Sequence, residues 1–123
     1  NLTTEQRAQA NLLGEELIER ARSDRSQLWS ADLETNYHFD ETENGWRLVE
    51  GQESIGFCSR WIELDAVERN EQGEIVENGT IDPAAIRVNS YVQWTQRISR
   101  TIHHQTYLTR HLNNQAWIQT DWS

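Results

Sequence analysis

Glu63 and Asp65 are the residues whose spacing most directly permits acid–base chemistry. They lie two positions apart in a segment with strand-like composition. Because successive side chains of a strand point to opposite faces, this spacing places both carboxylates on one face. Such a pair can divide the roles of general acid and general base, as in glycoside hydrolysis. A solvated acidic strand face has the same pattern, and the sequence favours that simpler interpretation.

Candidates for metal binding are few. Two acidic segments, residues 40–43 and 71–82, offer oxygen ligands for Ca²⁺, but neither has the spacing of a calcium loop. Adjacent His103 and His104 point to opposite faces of a strand and cannot chelate one metal together. Cys58 is the only cysteine, so an intramolecular disulfide and a thiolate cluster are excluded, and we expect a buried, inert thiol. The sequence predicts no enzyme activity, no cofactor and no metal centre, with a Ca²⁺ site left open.

Tryptophan is unusually frequent, with six residues in 123. Exposed tryptophans can form platforms for sugar rings or for a partner protein. Three fall on the apolar positions of predicted strands and are expected in the core: Trp46, Trp61 and Trp94. Trp117 and Trp122 lie in a polar tail and are the candidates for surface contacts.

The charge balance restricts the class of partner. The net charge is −9, and arginine supplies all eleven positive charges because lysine does not occur. An acidic surface disfavours general nucleic-acid binding. Positive groups concentrate near the end of the chain, and we interpret them as a solvated strand face: Arg97, Arg100, His103, His104 and Arg110.

A long hairpin over residues 86–112 carries these arginines and histidines and must position them. Apolar side chains alternate along its first half, which predicts a half-buried strand: Ile86, Val88, Val92 and Trp94. Residues 95–97 can turn the chain, and residues 98–108 return. Polar and apolar residues share one parity of the returning strand, so its inner face is only partly apolar or is broken by a bulge.

A helix over residues 3–29 is predicted to cover this hairpin. Thr3 and Gln6 form a capping box. Four apolar side chains then form one stripe with helical spacing: Leu13, Leu17, Ile18 and Ala21. Leu12 adds an apolar group on another side of the helix. Gly14 would let another backbone approach closely.

The remaining segments complete a sheet. Strands are predicted at 33–39, 46–50 and 57–69, with turns at 40–45, 70–73 and 77–80, a short segment at 74–76, and a stop at Asp82-Pro83. The β region spans residues 33–112, and residues 113–123 form a polar tail. The pattern predicts one α+β domain over residues 1–123, with an N-terminal amphipathic helix packed on an antiparallel sheet of about four to six strands.

Four segments resemble the soluble domains of type IV pilins and type II secretion pseudopilins, most closely the short pilin-like proteins of Patescibacteria-type bacteria. They are the helix segment NLLGEELIERARSDRSQLW at 11–29, the strand and turn FCSRWIELDAVERNEQG at 57–73, Asp82-Pro83 leading into 86–94, and TYLT at 106–109. Members of this family begin with a peptidase site and a long apolar helix, which this sequence does not contain.

The resemblance implies a structural subunit of an extracellular, cell-surface filament or secretion pseudopilus. Its partners would be other pilin subunits, and it would meet the cytoplasmic membrane only through a missing N-terminal helix. The helix residues expected at the assembly interface are Leu12, Leu13, Leu17, Ile18 and Ala21. The alternative is a tryptophan-rich extracellular β module that binds carbohydrate or protein, and a hydrolase using Glu63 and Asp65 is the third hypothesis.

Overall fold

A computed structural model describes residues 2–110, with the backbone alone described for residues 2 and 3. It confirms the predicted fold class, because one N-terminal helix packs on a six-stranded antiparallel sheet. The elements in chain order are α1 Leu2–Ser23, a 3₁₀ helix Arg25–Ser30, β1 Tyr37–Thr42, β2 Gly45–Glu50, β3 Glu53–Ile55, β4 Cys58–Arg69, β5 Thr80–Gln96 and β6 Ile98–Thr109.

The sheet has the strand order β2-β1-β4-β5-β6, and short β3 also pairs with β4. β5 is the central long strand, because it pairs with β4 on one side and with β6 on the other. Helix α1 packs on these three strands. We call the helix-covered side of the sheet the inner face and the opposite side the outer face.

The predicted apolar stripe of α1 is confirmed as the surface that meets the sheet. Leu17, Ile18 and Ala21 are buried, and they join a core that includes Ile62 and Val88. Nearer the start of the helix, a second buried cluster contains Ala10, Cys58, Val92 and Trp94. Helix and sheet therefore remove each other's apolar surface from water.

The predicted helix over 3–29 is too long, since α1 ends at Ser23. The backbone N–H of Asp24 donates to the Arg20 carbonyl at 2.9 Å, and the chain then tightens into the 3₁₀ helix Arg25–Ser30. Serine and aspartate disfavour helix interiors because their side chains compete for backbone groups. The tighter turn brings Leu28 into the core, where it is fully buried.

The main hairpin is confirmed, with different limits. β5 begins at Thr80 rather than at residue 86, and Arg97 alone, at φ 70°, separates β5 from β6. The predicted alternation is present along β5, where Val88, Ser90 and Val92 are buried. The register between β5 and β6 runs unbroken, so the inner face of β6 is partly polar rather than bulged.

The interpretation of the histidines and arginines of this hairpin as a solvated strand face is wrong for His104. It lies on the inner face, against Gly14 of α1. A Cβ added at Gly14 would stand 2.7 Å from the His104 Nδ1 atom, and Ser90 Oγ donates to the Gly14 carbonyl at 3.1 Å. Gly14 thus admits side chains of the sheet, not a second backbone as predicted.

The first hairpin is shifted along the chain. The predicted strand over 33–39 begins only at Tyr37, after Glu34 adopts a positive φ of 61°. The predicted turn over 40–45 is shorter, because Thr42 pairs with Gly45 across a two-residue loop. Gly45, the first residue of β2, has a positive φ of 106° while Asn44 does not, so the glycine takes the strained backbone position directly after the turn.

Pro83 lies inside β5, where a stop was predicted. Ala66 pairs with Ile86, but the next residue of β4, Val67, pairs with Asp82, so three residues of β5 are skipped. Proline has no N–H to donate, and a break in the register is where a strand tolerates it. Asp82 fixes this corner by accepting from Arg69 Nε at 2.7 Å and from the Ala84 N–H at 2.9 Å.

Asp82 is expected to contribute to the pH dependence of stability. The Arg69 side chain, with the Ala84 amide, lowers the pKa of Asp82 below its ordinary 3.8. A depressed folded-state pKa contributes stability that is complete above the unfolded pKa and is lost as the pH falls through the folded pKa. Urea unfolding from pH 7 to pH 2 should therefore show Asp82→Asn less stable than the parent at neutral pH, with the difference closing in acid. A difference that stays constant with pH would contradict this role.

Gly14→Ala should destabilise the fold despite the better helix propensity of alanine. The propensity gain is about 1 kcal/mol. The added Cβ collides with His104, and overpacking of this kind costs about 1–3 kcal/mol. In a double-mutant cycle measured by urea unfolding, His104→Ala should relieve the cost and give a coupling of at least about 1 kcal/mol. A single Gly14→Ala variant more stable than the parent would refute the close contact.

Candidate functional site

The outer face carries an ordered grid of side chains across β4, β5 and β6. The register aligns three rows of three residues, one from each strand. The rows are Trp61, Tyr91 and His103; Glu63, Asn89 and Gln105; Asp65, Arg87 and Tyr107. Aromatic, amide and charged groups are therefore concentrated on one surface.

The first row is a stack of rings. Tyr91 lies 5.5 Å from Trp61 and 4.7 Å from His103 between ring centroids, with interplanar angles of 21° and 7°. Cross-strand aromatic pairs of this kind stabilise a sheet. Because the rings cover one another's faces, Tyr91 presents its edge rather than a flat platform for a sugar. Trp61 is half-buried on the outer face, so its predicted place in the core is wrong.

The polar rows are tied together by Asp65. One of its oxygens, Oδ2, accepts from Arg87 Nη2 at 2.6 Å and from Asn89 Nδ2 at 2.9 Å. The Asn89 Oδ1 atom in turn contacts His103 Nε2 at 3.0 Å. Asn89 is only 3% exposed, so satisfying its amide matters for stability.

The charges of this network act on their neighbours. The hydrogen bond that Arg87 donates to Asp65 raises the pKa of Arg87. Burial, followed by the charges of Glu63 and Asp65, raises the pKa of Tyr91. Arg87 is protonated and the Tyr91 hydroxyl is neutral at neutral pH already at their ordinary pKa values, and both shifts act in the same direction.

Glu63 and Asp65 share the outer face, as their spacing predicts. Asp65 is occupied by Arg87 and Asn89, which makes it an acceptor that binds β4 to β5. The arrangement supports an ion-paired strand face better than a pair of carboxylates with separate acid and base roles.

The three histidines within the described residues are not brought together. His103 lies on the outer face and His104 on the inner face, as adjacent strand residues must. His38 is on β1, where its Nδ1 contacts the Gly51 carbonyl at 3.0 Å. Within residues 2–110, no three His, Cys, Asp or Glu side chains are grouped so that they could hold a metal ion.

The four described tryptophans are buried or half-buried. Trp94 is in the core as predicted, and Arg20 lies 3.9 Å above the half-buried Trp46 ring. Trp29 Nε1 donates to the Pro83 carbonyl at 3.0 Å. The predicted surface contacts, Trp117 and Trp122, lie outside the described residues.

The five predicted assembly residues of α1 separate into two groups. Four are directed to the sheet: Leu17, Ile18 and Ala21 are buried, and Leu13 is half-buried beside the second core cluster. Leu12 is 65% exposed, which makes it the large apolar side chain that α1 presents to solvent.

Arg60 is the residue that the sequence analysis missed. It is buried on the inner face and donates to the Leu13 carbonyl at 3.0 Å, to Glu16 Oε1 at 2.5 Å and to Glu53 Oε1 at 2.9 Å. The sequence feature that indicates its burial is strand alternation, because Arg60 shares a face with Cys58 and Ile62, which are both buried. Its side chain joins α1, β3 and β4.

Cys58 is buried next to this ion pair. Burial raises the pKa of its thiol, and the nearby Arg60 charge only partly opposes the shift. A protonated, buried thiol is a poor nucleophile. The prediction of an inert cysteine agrees with this environment.

Comparison with protein families, curated proteins and solved structures found no match to this chain in sequence or in fold. Among the described residues, no helix is both long enough and apolar enough to span a membrane. The resemblance to pilins stays a prediction carried by the four short motifs.

Asp65→Ala should destabilise the protein, while Glu63→Ala should have little effect. Asp65 loses hydrogen bonds to the charged Arg87 and to buried Asn89, a cost of about 1–3 kcal/mol. Glu63, the matched control on the same face, contributes its backbone carbonyl to Asn89, and that group remains in the alanine variant. Urea unfolding at neutral pH measures both variants. Equal stabilities for the two would contradict the structural role assigned to Asp65.

Proposed function

We propose that this chain is the globular domain of a pilin-like subunit that assembles into a cell-surface filament or secretion pseudopilus. The proposal rests on the four sequence motifs together with an N-terminal helix laid over an antiparallel sheet. Its neighbours would be further subunits, of the same or another kind. Before assembly the protein would be held in the cytoplasmic membrane by an apolar helix preceding residue 1.

The observation that carries the proposal furthest is the position of Leu12. Its side chain is 65% exposed on α1, whereas the other predicted interface residues are directed to the sheet. Neighbouring solvent-facing positions of α1 are charged, including Glu15, Glu16 and Glu19. An isolated leucine among carboxylates gives a helix of the next subunit an apolar anchor, and the surrounding charges set the orientation of approach.

The carbohydrate-binding alternative is less well supported. The rings of Trp61 and Tyr91 stack on each other, and Trp29 and Trp46 contact other parts of the fold. Trp117 and Trp122, the predicted surface contacts, lie outside the described residues.

Leu12→Glu in the full-length protein should abolish or strongly reduce filaments at the cell surface. The substitution places a charge where an apolar contact is proposed, and the folded domain should tolerate it because Leu12 is exposed. The matched control is Ile81→Glu, since Ile81 is an aliphatic residue of β5 that is 60% exposed. Electron microscopy and the amount of subunit in sheared surface fractions give the measurement, with thermal unfolding of the isolated domains as a check on folding.

A site-specific cross-link tests the same contact directly. Cys58 is the chain's only cysteine and is buried, so Leu12→Cys introduces the one accessible thiol. A maleimide–benzophenone label on this thiol should photo-cross-link neighbouring subunits of intact filaments, and the same label on an Ile81→Cys control should not. Filaments that form normally with Leu12→Glu and fail to cross-link at residue 12 would contradict assembly through this helix.

A further inference from the structure

The two edge strands of the main sheet, β2 and β6, differ in how their outward backbone groups are hydrogen-bonded. At β2 the side-chain amide of Gln27 closes the edge, donating to the Trp46 carbonyl at 2.8 Å and accepting from the Leu48 N–H at 2.8 Å. Gln27 thereby takes the place that a neighbouring strand would occupy. This edge is also short, since β2 has six residues.

The opposite edge, β6, is long and open among residues 2–110. It has twelve residues, about 40 Å of strand, and pairs only with β5. Exposed edges are normally protected by proline, lysine, bulges or inward-pointing charges. β6 has one such feature, Arg100 beside the turn, and residues 101–109 contain none of them. The Thr109 carbonyl already accepts from Arg25 Nη1, and the outward backbone groups of β6 before Thr109 can accept another strand.

Helix α1 borders this edge, and near the start of the helix an open cavity of about 360 Å³ lies between them, lined by Arg7, Asn11 and Ile102 among others. We call the border between α1 and β6, from this cavity to Thr109, the groove. Further along, Arg22 Nη2 contacts Thr106 Oγ1 at 3.4 Å, and Arg25 Nη1 donates to the Thr109 carbonyl at 2.9 Å. The helix side of the groove follows β6 along its length.

The groove is basic in an acidic protein. The whole chain has a net charge of −9, yet five of its eleven arginines lie along the groove. They are Arg7, Arg22, Arg25, Arg100 and Arg110. By helical periodicity Glu15 and Glu19 are the acids nearest to it, and Glu19 is already paired with Arg22. Arg7 and Arg110 are exposed at opposite ends of the groove. The local excess of positive charge favours an acidic occupant.

We propose that β6 binds an extended acidic peptide segment of a partner protein, which adds to the sheet as a further strand. Main-chain hydrogen bonds to β6 would provide affinity, and carboxylates on one side of the peptide would meet the arginines of the groove. The proposal does not depend on filament assembly.

The observations favour a partner protein over a second copy. Pairing β6 with β6 of another copy would bring two arginine-lined grooves together, and like charges oppose such contacts. Pairing β6 with β2 of another copy would require displacement of Gln27. The chain's own residues 111–123 contain one acidic side chain, Asp121, and so match the groove poorly.

The first experiment uses a fluorescein-labelled ten-residue peptide that alternates valine and glutamate, with a glutamine-for-glutamate twin as control. Fluorescence anisotropy with the full chain should show binding that weakens with added salt, and binding of the twin at least about tenfold weaker. Equal binding of the two peptides would overturn the proposed occupant.

Charge-reversal variants locate the site. Arg7→Glu and Arg110→Glu should each weaken binding of the acidic peptide by about three- to tenfold. Arg47→Glu makes the same change of net charge on β2, at the far edge of the sheet, and should leave the affinity unchanged. Equal losses in all three variants would refute binding along β6.

Alternate N-methylation of the peptide tests strand addition. Methyl groups on one set of alternate amides should abolish binding, while methyl groups on the other set should be tolerated, because only one set faces β6. Hydrogen exchange should show outward β6 amides that become protected when the peptide binds. A free chain that is dimeric through β6, or monomeric with those amides already protected, would overturn the proposal.

Discussion

The alternation of side chains along β5 is the constraint on which the rest of the structure depends. β5 pairs with both β4 and β6, and its register aligns the inner and outer residues of all three strands. The inner set, which includes Val88 and Val92, is covered by α1, and the outer set supplies Arg87 and Asn89 to the polar network. A slip of one residue would exchange the two sets, burying charge and exposing the core. Burial of the inner face therefore fixes the geometry of the outer one.

Features controlled by local periodicity were predictable from the sequence. The helix stripe through Leu17 and Ala21, the alternation along β5 and the α+β fold class all follow from patterns of period 3.6 or 2. Glu63 and Asp65 were correctly placed on one face for the same reason. These patterns are local in the sequence and do not depend on which distant segments come into contact.

Features controlled by contacts between distant segments were not predictable. Trp61 fits a buried or an exposed parity equally well until its pairing with Tyr91 is known. Strand parity places His104 on the inner face, but its contact with Gly14 depends on how α1 packs on the sheet. The end of α1 is likewise coupled to the burial of Leu28, which lies in a 3₁₀ helix with fewer residues per turn. Strand parity places Arg60 on a buried face, but the carboxylates that stabilise it there come from two other elements, so the sequence around Arg60 does not identify its partners.

Helix α1 separates two surfaces of different chemistry. One carries exposed Leu12 among carboxylates, and the other borders β6 with Arg7 and Arg22. Burying one leucine contributes only about 1.5–3 kcal/mol. That is less than the roughly 4 kcal/mol of even a millimolar complex. A filament contact through Leu12 therefore needs further apolar or electrostatic contacts outside this face of α1. Because the arginine-lined groove lies on a different flank of the helix, a peptide in that groove and a subunit at Leu12 would not compete for the same side chains.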